Sequence, residues 1–201
     1  MNILILFLIS YLIGSIPFAL VIGKVFYKTD VREHGSKNLG GGNTGRVLGK
    51  KAGVAVMTLD ILKVSSVVFL AQHFGYDETM MSYCGLVAAA GHCWPIFAKF
   101  KGGKAVATMY GFLFGLFAFA GYSPLVFFLP LLTFLMILKL TKIISLSSII
   151  SALAVTGYLF FATESKAVQL TLVIFSVLII VRHRKNIERI YKHQENKISW
   201  L

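Results

Sequence analysis

The chain has 201 residues, 57% of them hydrophobic, with 17 Phe, 8 acidic residues and 20 Lys and Arg. A soluble domain of this length could not hide so many apolar residues, whereas several runs match the roughly 20 helical residues that cross a hydrocarbon layer of about 30 Å. The net charge of +12 does not make a nucleic-acid binder, because the cations fall in short segments between apolar runs rather than on one soluble face.

Taken in chain order, the apolar segments lie at about 3–23, 52–72, 79–97, 105–122, 124–138, 143–162 and 167–181. In a bilayer each crossing must be a helix that satisfies its own backbone. The first segment has no basic residue before it and no small-residue cleavage site after it, so it reads as a retained span and not as a secretory signal. Pro17 and Pro130 should kink or interrupt their helices unless neighbours satisfy the freed carbonyls. The fifth and seventh segments are short, and a five-span reading also fits. Cys84 and Cys93 share one segment nine residues apart, roughly 13 Å along a helix, which is too far for a disulfide; both read as packing residues.

Charge sets the orientation. With the N-terminus outside, residues 24–51 hold seven Lys and Arg, 99–104 three, 139–142 two and 182–197 six, all on the cytoplasmic side. Lys166, Asp77, Glu78 and Glu164 are left opposite. The expected fold is an all-α integral membrane protein, a single polytopic domain over 1–201 forming a seven-helix transmembrane bundle with the C-terminus cytoplasmic. No repeat, low-complexity run or separate soluble domain breaks it.

The first basic loop carries Ser36, Asn38, Gly40, Asn43 and Arg46, with six glycines between 35 and 49. Glycine backbone can turn its N–H groups inward as an anion nest, and Arg46 adds a guanidinium fork. The Walker spacing is absent, and a flexible polar connector is the plainer alternative. Within the second span, Asp60 and Lys63 share one helical face. Each costs roughly 2.5–3.5 kcal/mol at a span centre, nearly cancelling ten Leu, Ile, Val and Phe at about 0.3–0.6 each. Such a pair either serves a functional site or simply neutralises itself inside the bundle.

Next comes Gly91-His92-Cys93-Trp94-Pro95 followed by Lys99-Phe100-Lys101-Gly102-Gly103-Lys104. A Gly-Gly pair flanked by two lysines at the start of a helix favours an anion there; alone, the lysines would be ordinary membrane anchors. Ser145, Ser147 and Ser148 open the sixth span, where helix packing explains them adequately. In the tail, His183, Asn186, Ile187, Ile190 and Tyr191 fall within one arc at about 100° per residue. Arg184, Lys185, Glu188, Arg189 and Lys192 fill the rest. His183 and Asn186 should therefore point into the bundle.

Together these parts suit two phosphate-bearing substrates handled without metal. Asp30 and Glu33 are too few to form a Mg²⁺ carboxylate cluster, and no Gly-x-Ser-x-Gly nucleophile is present. A transporter of phosphorylated metabolites would need polar groups on both faces, and a structural subunit would not turn His183 and Asn186 inward.

Specific motifs go further. Gly-Ser-Lys-Asn-Leu-Gly at 35–40 with Asn43 and Arg46, the stretch 91–108, Ser-Leu-Ser-Ser-Ile at 145–149 and Arg-His-Arg-Lys-Asn-Ile-Glu-Arg at 182–189 resemble the bacterial acyl-phosphate:glycerol-3-phosphate acyltransferases. Tyr-Leu-Ile-Gly-Ser-Ile-Pro at 11–17 is similar to their opening helix. The resemblance implies transfer of a fatty acyl group from acyl phosphate to the 1-hydroxyl of glycerol 3-phosphate, giving lysophosphatidic acid and phosphate, the first step of bacterial phospholipid synthesis. It implies no cofactor and no acyl-enzyme intermediate. Location would be the bacterial inner membrane with the site facing the cytoplasm, linked to an acyl-phosphate-producing enzyme and to the next acyltransferase. His183, Asn186 and Ser36 are the expected catalytic residues. Asn38, Gly40, Asn43, Arg46, Lys63, His92, Lys101, Gly102, Gly103, Lys104, Ser145, Ser148 and Arg184 are the expected substrate-binding ones. The base would be a substrate phosphate oxygen. The His-x-x-x-x-Asp signature of thioester-using acyltransferases is absent, and Glu188, at that spacing from His183, falls on the charged face. Two positions depart from the family pattern: Gly41-Gly42 stand where Ala-Thr is usual, and Ala105 stands where Gly is usual. Ala105 is expected to tolerate helical geometry.

Overall fold

The computed structural model describes residues 1–198, which form ten α-helices, one 3₁₀ turn and no strand. The chain runs α1 (Ile3–Gly14), α2 (Phe18–Tyr27), α3 (Gly41–Leu48), α4 (Lys50–His73), α5 (Glu78–Cys93), α6 (Val106–Phe119), α7 (Leu125–Thr141), α8 (Ile144–Ala162), α9 (Lys166–Arg182) and α10 (Arg184–Tyr191). The first apolar segment covers α1 and most of α2, and each of the other six overlaps one helix, α4 to α9. Helices α4 and α8 are individually long and apolar enough to cross a membrane, and the bent pairs α1–α2 (42°) and α9–α10 (59°) each reach that length together.

The bundle is organised around α6, whose Met109, Phe112, Leu113 and Leu116 are fully buried. It lies along α4, with α5, α7, α8 and α9 around it. The close crossing depends on missing side chains: a Cβ at Gly111 would sit 2.4 Å from the Ile61 carbonyl oxygen, and one at Gly115 2.7 Å from Val68. Phe112 stacks on Phe175 of α9, adding a preferred aromatic contact to the buried area. Outward, Leu8, Phe128, Leu132, Met136, Phe161 and Val177 are exposed. A belt of that kind is tolerable where lipid replaces water.

Two expectations about proline part company. The first segment does break at Pro17, between α1 and α2. Helix α7, however, runs without interruption through Pro130, which is buried and whose carbonyl accepts the Tyr110 hydroxyl at 2.9 Å. Cys84 and Cys93 are free, buried packing residues.

The glycine-rich loop also differs from its expected form. Gly41, Gly42 and Gly45 lie inside α3, and the requirement for glycine comes mainly from packing. A Cβ at Gly53 of α4 would lie 2.7 Å from the Gly45 Cα and 2.8 Å from the Gly41 carbonyl oxygen. The glycines let α3 lie directly on α4, and the α3 N-terminus leaves N–H groups without intrahelical partners.

Ala105 is likewise corrected. It is the N-cap of α6 with φ +62° and ψ +1°, a left-handed and not a helical conformation. That is where a glycine fits without steric penalty.

Candidate active site

Breaks between helices converge at one end of the bundle around a cavity of about 210 Å³, far beyond the roughly 10–15 Å³ that one water needs. Its polar end is made by Ser36, Asn38, Arg46 and the Gly40–Gly42 start of α3. Across from them stand His92, Lys104, Ser145, Ser148, His183 and Asn186. Its other end runs between α6, α7 and α8 and is apolar, lined by Val106, Tyr110, Phe127, Leu131, Phe134 and Leu135. Ser36, Asn38, Lys104 and Asn186 also line an adjoining outer mouth, where Lys37, Arg182, Arg184, Lys185 and Arg189 make a strongly cationic rim.

At the junction, Lys104 Nζ donates to Asn186 Oδ1, and Asn186 Nδ2 donates to Glu195 Oε1. Ser145 Oγ donates to the same oxygen at 2.8 Å, and Arg189 Nε donates to Glu195 Oε2 at 2.7 Å. The short tail after α10 thus folds back and ties α8, α10 and the loop before α6 to one carboxylate. Burial pushes the Glu195 carboxyl up, but the bonds from Asn186, Arg189 and Ser145 outweigh it and hold it below its ordinary value. Burial lowers Lys104 to about 8, with Arg189, Arg46 and Arg182 adding to the fall and Glu195 opposing it.

His183 and Asn186 point inward as expected, 4% and 7% exposed. The His183 Nδ1–H donates to the Ile179 carbonyl at 2.8 Å, since a carbonyl can only accept. The neutral ring therefore presents a lone pair at Nε2. Burial and then the Lys104 charge push His183 down to about 4, so it stays neutral near pH 7. The rest of the expected apolar arc does not close on the bundle: Ile187 is 40% and Tyr191 87% exposed. Helix α10 leaves α9 at 59°, and only its first turn meets the cavity. Glu188 does lie outward, paired with Lys192 at 2.7 Å.

Several expected ligands have their polar groups committed to the framework or lie outside the cavity. The Asn43 amide is committed on both sides, accepting from Ser36 N–H at 2.8 Å and donating to Val31 and His34 carbonyls at 2.9 and 3.2 Å. Gly102 and Gly103 do not line the cavity. Their carbonyls accept from Arg182 Nη2 and Nε, both at 3.0 Å, and the Gly103 N–H donates to the His92 carbonyl. Lys101 is exposed and lines neither space, and Arg184 reaches only the outer mouth. Lys63 lies behind the wall, bonded to Asp60 and His92. Ser148 Oγ is turned back to the Ile144 carbonyl. Asp30 is held by Arg32 and Lys24, and its carboxyl lies well below the usual range, chiefly through the Arg32 bond.

Glu195, Arg182 and Arg189 were not expected at the site. Glu195 follows the helical stretch, where periodicity ends, and its only sequence signal is an isolated acid in a basic tail. Arg182 could have been chosen over Arg184 only by knowing the bend at His183.

A family model described as glycerol-3-phosphate acyltransferase matches residues 4–193. Glycerol-3-phosphate acyltransferase 3 of Bacillus anthracis is 45% identical over 97% of this chain and 94% of its own. A glycerol-3-phosphate acyltransferase of Streptococcus agalactiae serotype III is 46% identical over 100% and 95%. Among solved structures, PlsY (YgiH), an integral membrane glycerol 3-phosphate acyltransferase, superposes in its glycerol 3-phosphate form with TM-score 0.91. That match is 37% identical over 99% of this chain and 96% of the other. Its lysophosphatidic acid form gives 0.88.

Proposed function

The chain belongs to the glycerol-3-phosphate acyltransferase family of integral membrane enzymes, and from that premise we propose that it transfers a fatty acyl group from acyl phosphate to the 1-hydroxyl of glycerol 3-phosphate. Lysophosphatidic acid and phosphate are the products. One observation carries this reading: a cationic mouth adjoins a cavity with an apolar groove, the two sharing Lys104 and Asn186, with His183 lining the cavity. Such a shape suits a donor with a long apolar tail and an anionic head, meeting a small anionic acceptor.

Arg46, Lys104, Ser36 and the α3 N-terminus hold phosphate oxygens, and the outer arginines draw the acceptor in. The acceptor hydroxyl donates to His183 Nε2, which orients its oxygen toward the acyl carbonyl carbon. The new C–O bond forms as the carbonyl–phosphate bond breaks, and the hydroxyl proton ends on the departing phosphate. A mixed anhydride is already activated, so no acyl-enzyme and no cofactor is required. A group near 4 is a weak base, which favours substrate phosphate as the final proton acceptor.

The membrane arrangement is part of the same proposal: seven spans across the bacterial inner membrane, N-terminus outside, and the basic mouth toward the cytoplasm. The concentration of Lys and Arg in segments 24–51, 99–104 and 182–197 supports it. An acyl-phosphate-forming enzyme must supply the donor, and a second acyltransferase would consume the product.

The test uses purified protein in lipid, with palmitoyl phosphate, with and without glycerol 3-phosphate, and no added metal. Phosphate release that depends on the acceptor and yields lysophosphatidic acid is expected, and palmitoyl-coenzyme A should not substitute. Near-normal turnover by folded Asn186→Ala would overturn the assigned site.

A further inference from the structure

In the wall of the cavity, which Asp60 and His92 help to line, lies a buried ionic cluster that the reaction above leaves unused. Asp60 and Lys63 sit one turn apart on α4, their side chains each 2% exposed, with Nζ 2.7 Å from Oδ1. Lys63 Nζ also lies 2.9 Å from the Ile16 carbonyl oxygen, at the α1–α2 break, and 3.1 Å from His92 Nδ1. An ammonium group has three protons and no lone pair. This one donates to the Ile16 carbonyl and to His92 Nδ1, which must therefore be the accepting nitrogen, and it meets Asp60 Oδ1 as an ion pair.

The neutral His92 ring therefore carries its hydrogen on Nε2. The alternative, an imidazolium donating from Nδ1 to Asp60, is not made, because that separation is 3.6 Å, beyond hydrogen-bond reach. Gly103 lies against the ring: a Cβ there would sit 2.0 Å from Nε2 and 2.6 Å from Cε1. Glycine at 103 thus lets the loop before Lys104 close over His92. The residue lines the cavity.

We propose that Asp60 and Lys63 are positioning residues that lock His92 as an Nε2–H donor to a substrate phosphate oxygen, opposite in sense to His183, which offers a lone pair. The phosphate is that of glycerol 3-phosphate or of the acyl donor, and the two are told apart by which Michaelis constant responds. The kinetic arm rests on the acyltransferase reading; the spectroscopic arm does not.

The spectroscopic arm uses ¹⁵N-histidine-labelled protein in lipid. The His92 signal is identified by its absence in His92→Gln, or by its response to Lys63→Arg should that variant not fold. An unprotonated Nδ1 with a protonated Nε2 is expected, giving way to mixed tautomers in Asp60→Asn/Lys63→Met. A wild-type Nδ1–H form or an imidazolium overturns the lock, whether or not the protein turns over. In the kinetic arm, His92→Gln can place an amide donor at the outer position, whereas His92→Asn reaches only the inner one. His92→Asn should raise KM for one substrate roughly ten- to a hundredfold, the worth of a hydrogen bond to a charged group, while His92→Gln retains most of the affinity. Unchanged KM for both substrates in His92→Asn overturns the donor role.

Discussion

Glu195→Gln separates the charge of the tail carboxylate from its shape. That carboxylate accepts from Ser145, Asn186 and Arg189, and its side chain is 3% exposed. A hydrogen bond to a charged group contributes about 1.5–3 kcal/mol. The Arg189 bond contributes less, about 1 kcal/mol or below, because that side chain is 36% exposed and solvent screens it. Gln keeps one carbonyl acceptor but turns an NH₂ toward a second donor, so the net destabilisation should be about 2–4 kcal/mol. The sharper effect falls on Lys104. Glu195 opposes the burial and the arginine charges that bring this lysine down to about 8. Removing the negative charge disfavours the ammonium further, so Lys104 loses its proton at lower pH. An opposite charge reached through the Asn186 bridge is worth on the order of 1–2 kcal/mol at an effective dielectric near 20, and Arg189 offsets part of that. The alkaline limb of kcat/KM for glycerol 3-phosphate, which reports the free enzyme, should therefore move down from pH 8 by about one unit. Glu195→Asp keeps the charge and should leave the limb in place while lowering the rate. A limb that stays put or rises in folded Glu195→Gln would refute the coupling.

Ala105→Gly removes a left-handed alanine, which costs roughly 1–2 kcal/mol, and loses a buried methyl worth about 0.8 kcal/mol. The thermal midpoint should hold or rise by a few degrees at most, and a clear fall would show that the methyl contact dominates. Arg182→Gln loses the double grip on the Gly102 and Gly103 carbonyls and frees the segment leading to Lys104. KM for glycerol 3-phosphate should rise about tenfold, the equivalent of about 1.4 kcal/mol, with Arg182→Lys only partly restoring it. His183 has a folded value of about 4 against an ordinary 6.5, so on acidification the unfolded chain takes up the proton first. The stability it contributes is complete above pH 6.5 and declines toward pH 4 by up to about 3 kcal/mol; His183→Asn should flatten that part of a chemical-denaturation series.

Much of the helical plan was legible because hydrophobic runs and periodicity report directly on which surface meets lipid or neighbour. The inward turn of His183 and Asn186 and the pairing of Asp60 with Lys63 both followed from a step of about 100° per residue over about one turn. The same step failed at Ile187 and Tyr191 because α10 leaves α9 at 59°, so only its first turn meets the cavity and a shared arc does not bring the later residues against the bundle. Glycines misled for another reason. An anion nest and a close helix crossing both require that Cβ be absent, so composition alone cannot distinguish Gly45 on Gly53 from a phosphate cradle. Ala105 was misjudged because a conformation with φ +62° leaves no trace in a sequence that lacks the glycine.

What sequence periodicity misses is concentrated where the chemistry lies. Lys104 immediately precedes the left-handed start of α6, His183 occupies the joint between α9 and α10, and Lys63 is held by a carbonyl at the α1–α2 break. Irregular backbone at membrane depth is tolerated only where it is buried in protein or lines a cavity. Each interruption therefore needs a polar partner nearby: Arg182, at the α9–α10 bend, takes the Gly102 and Gly103 carbonyls, and Lys63, from the middle of α4, takes that of Ile16. The same groups that satisfy broken helix ends fix the orientation of the two histidines, one presenting a donor and the other a lone pair. On this view the breaks are the means by which an otherwise apolar bundle holds a polar site in one geometry, and a substitution that heals a break should impair turnover more than it impairs folding.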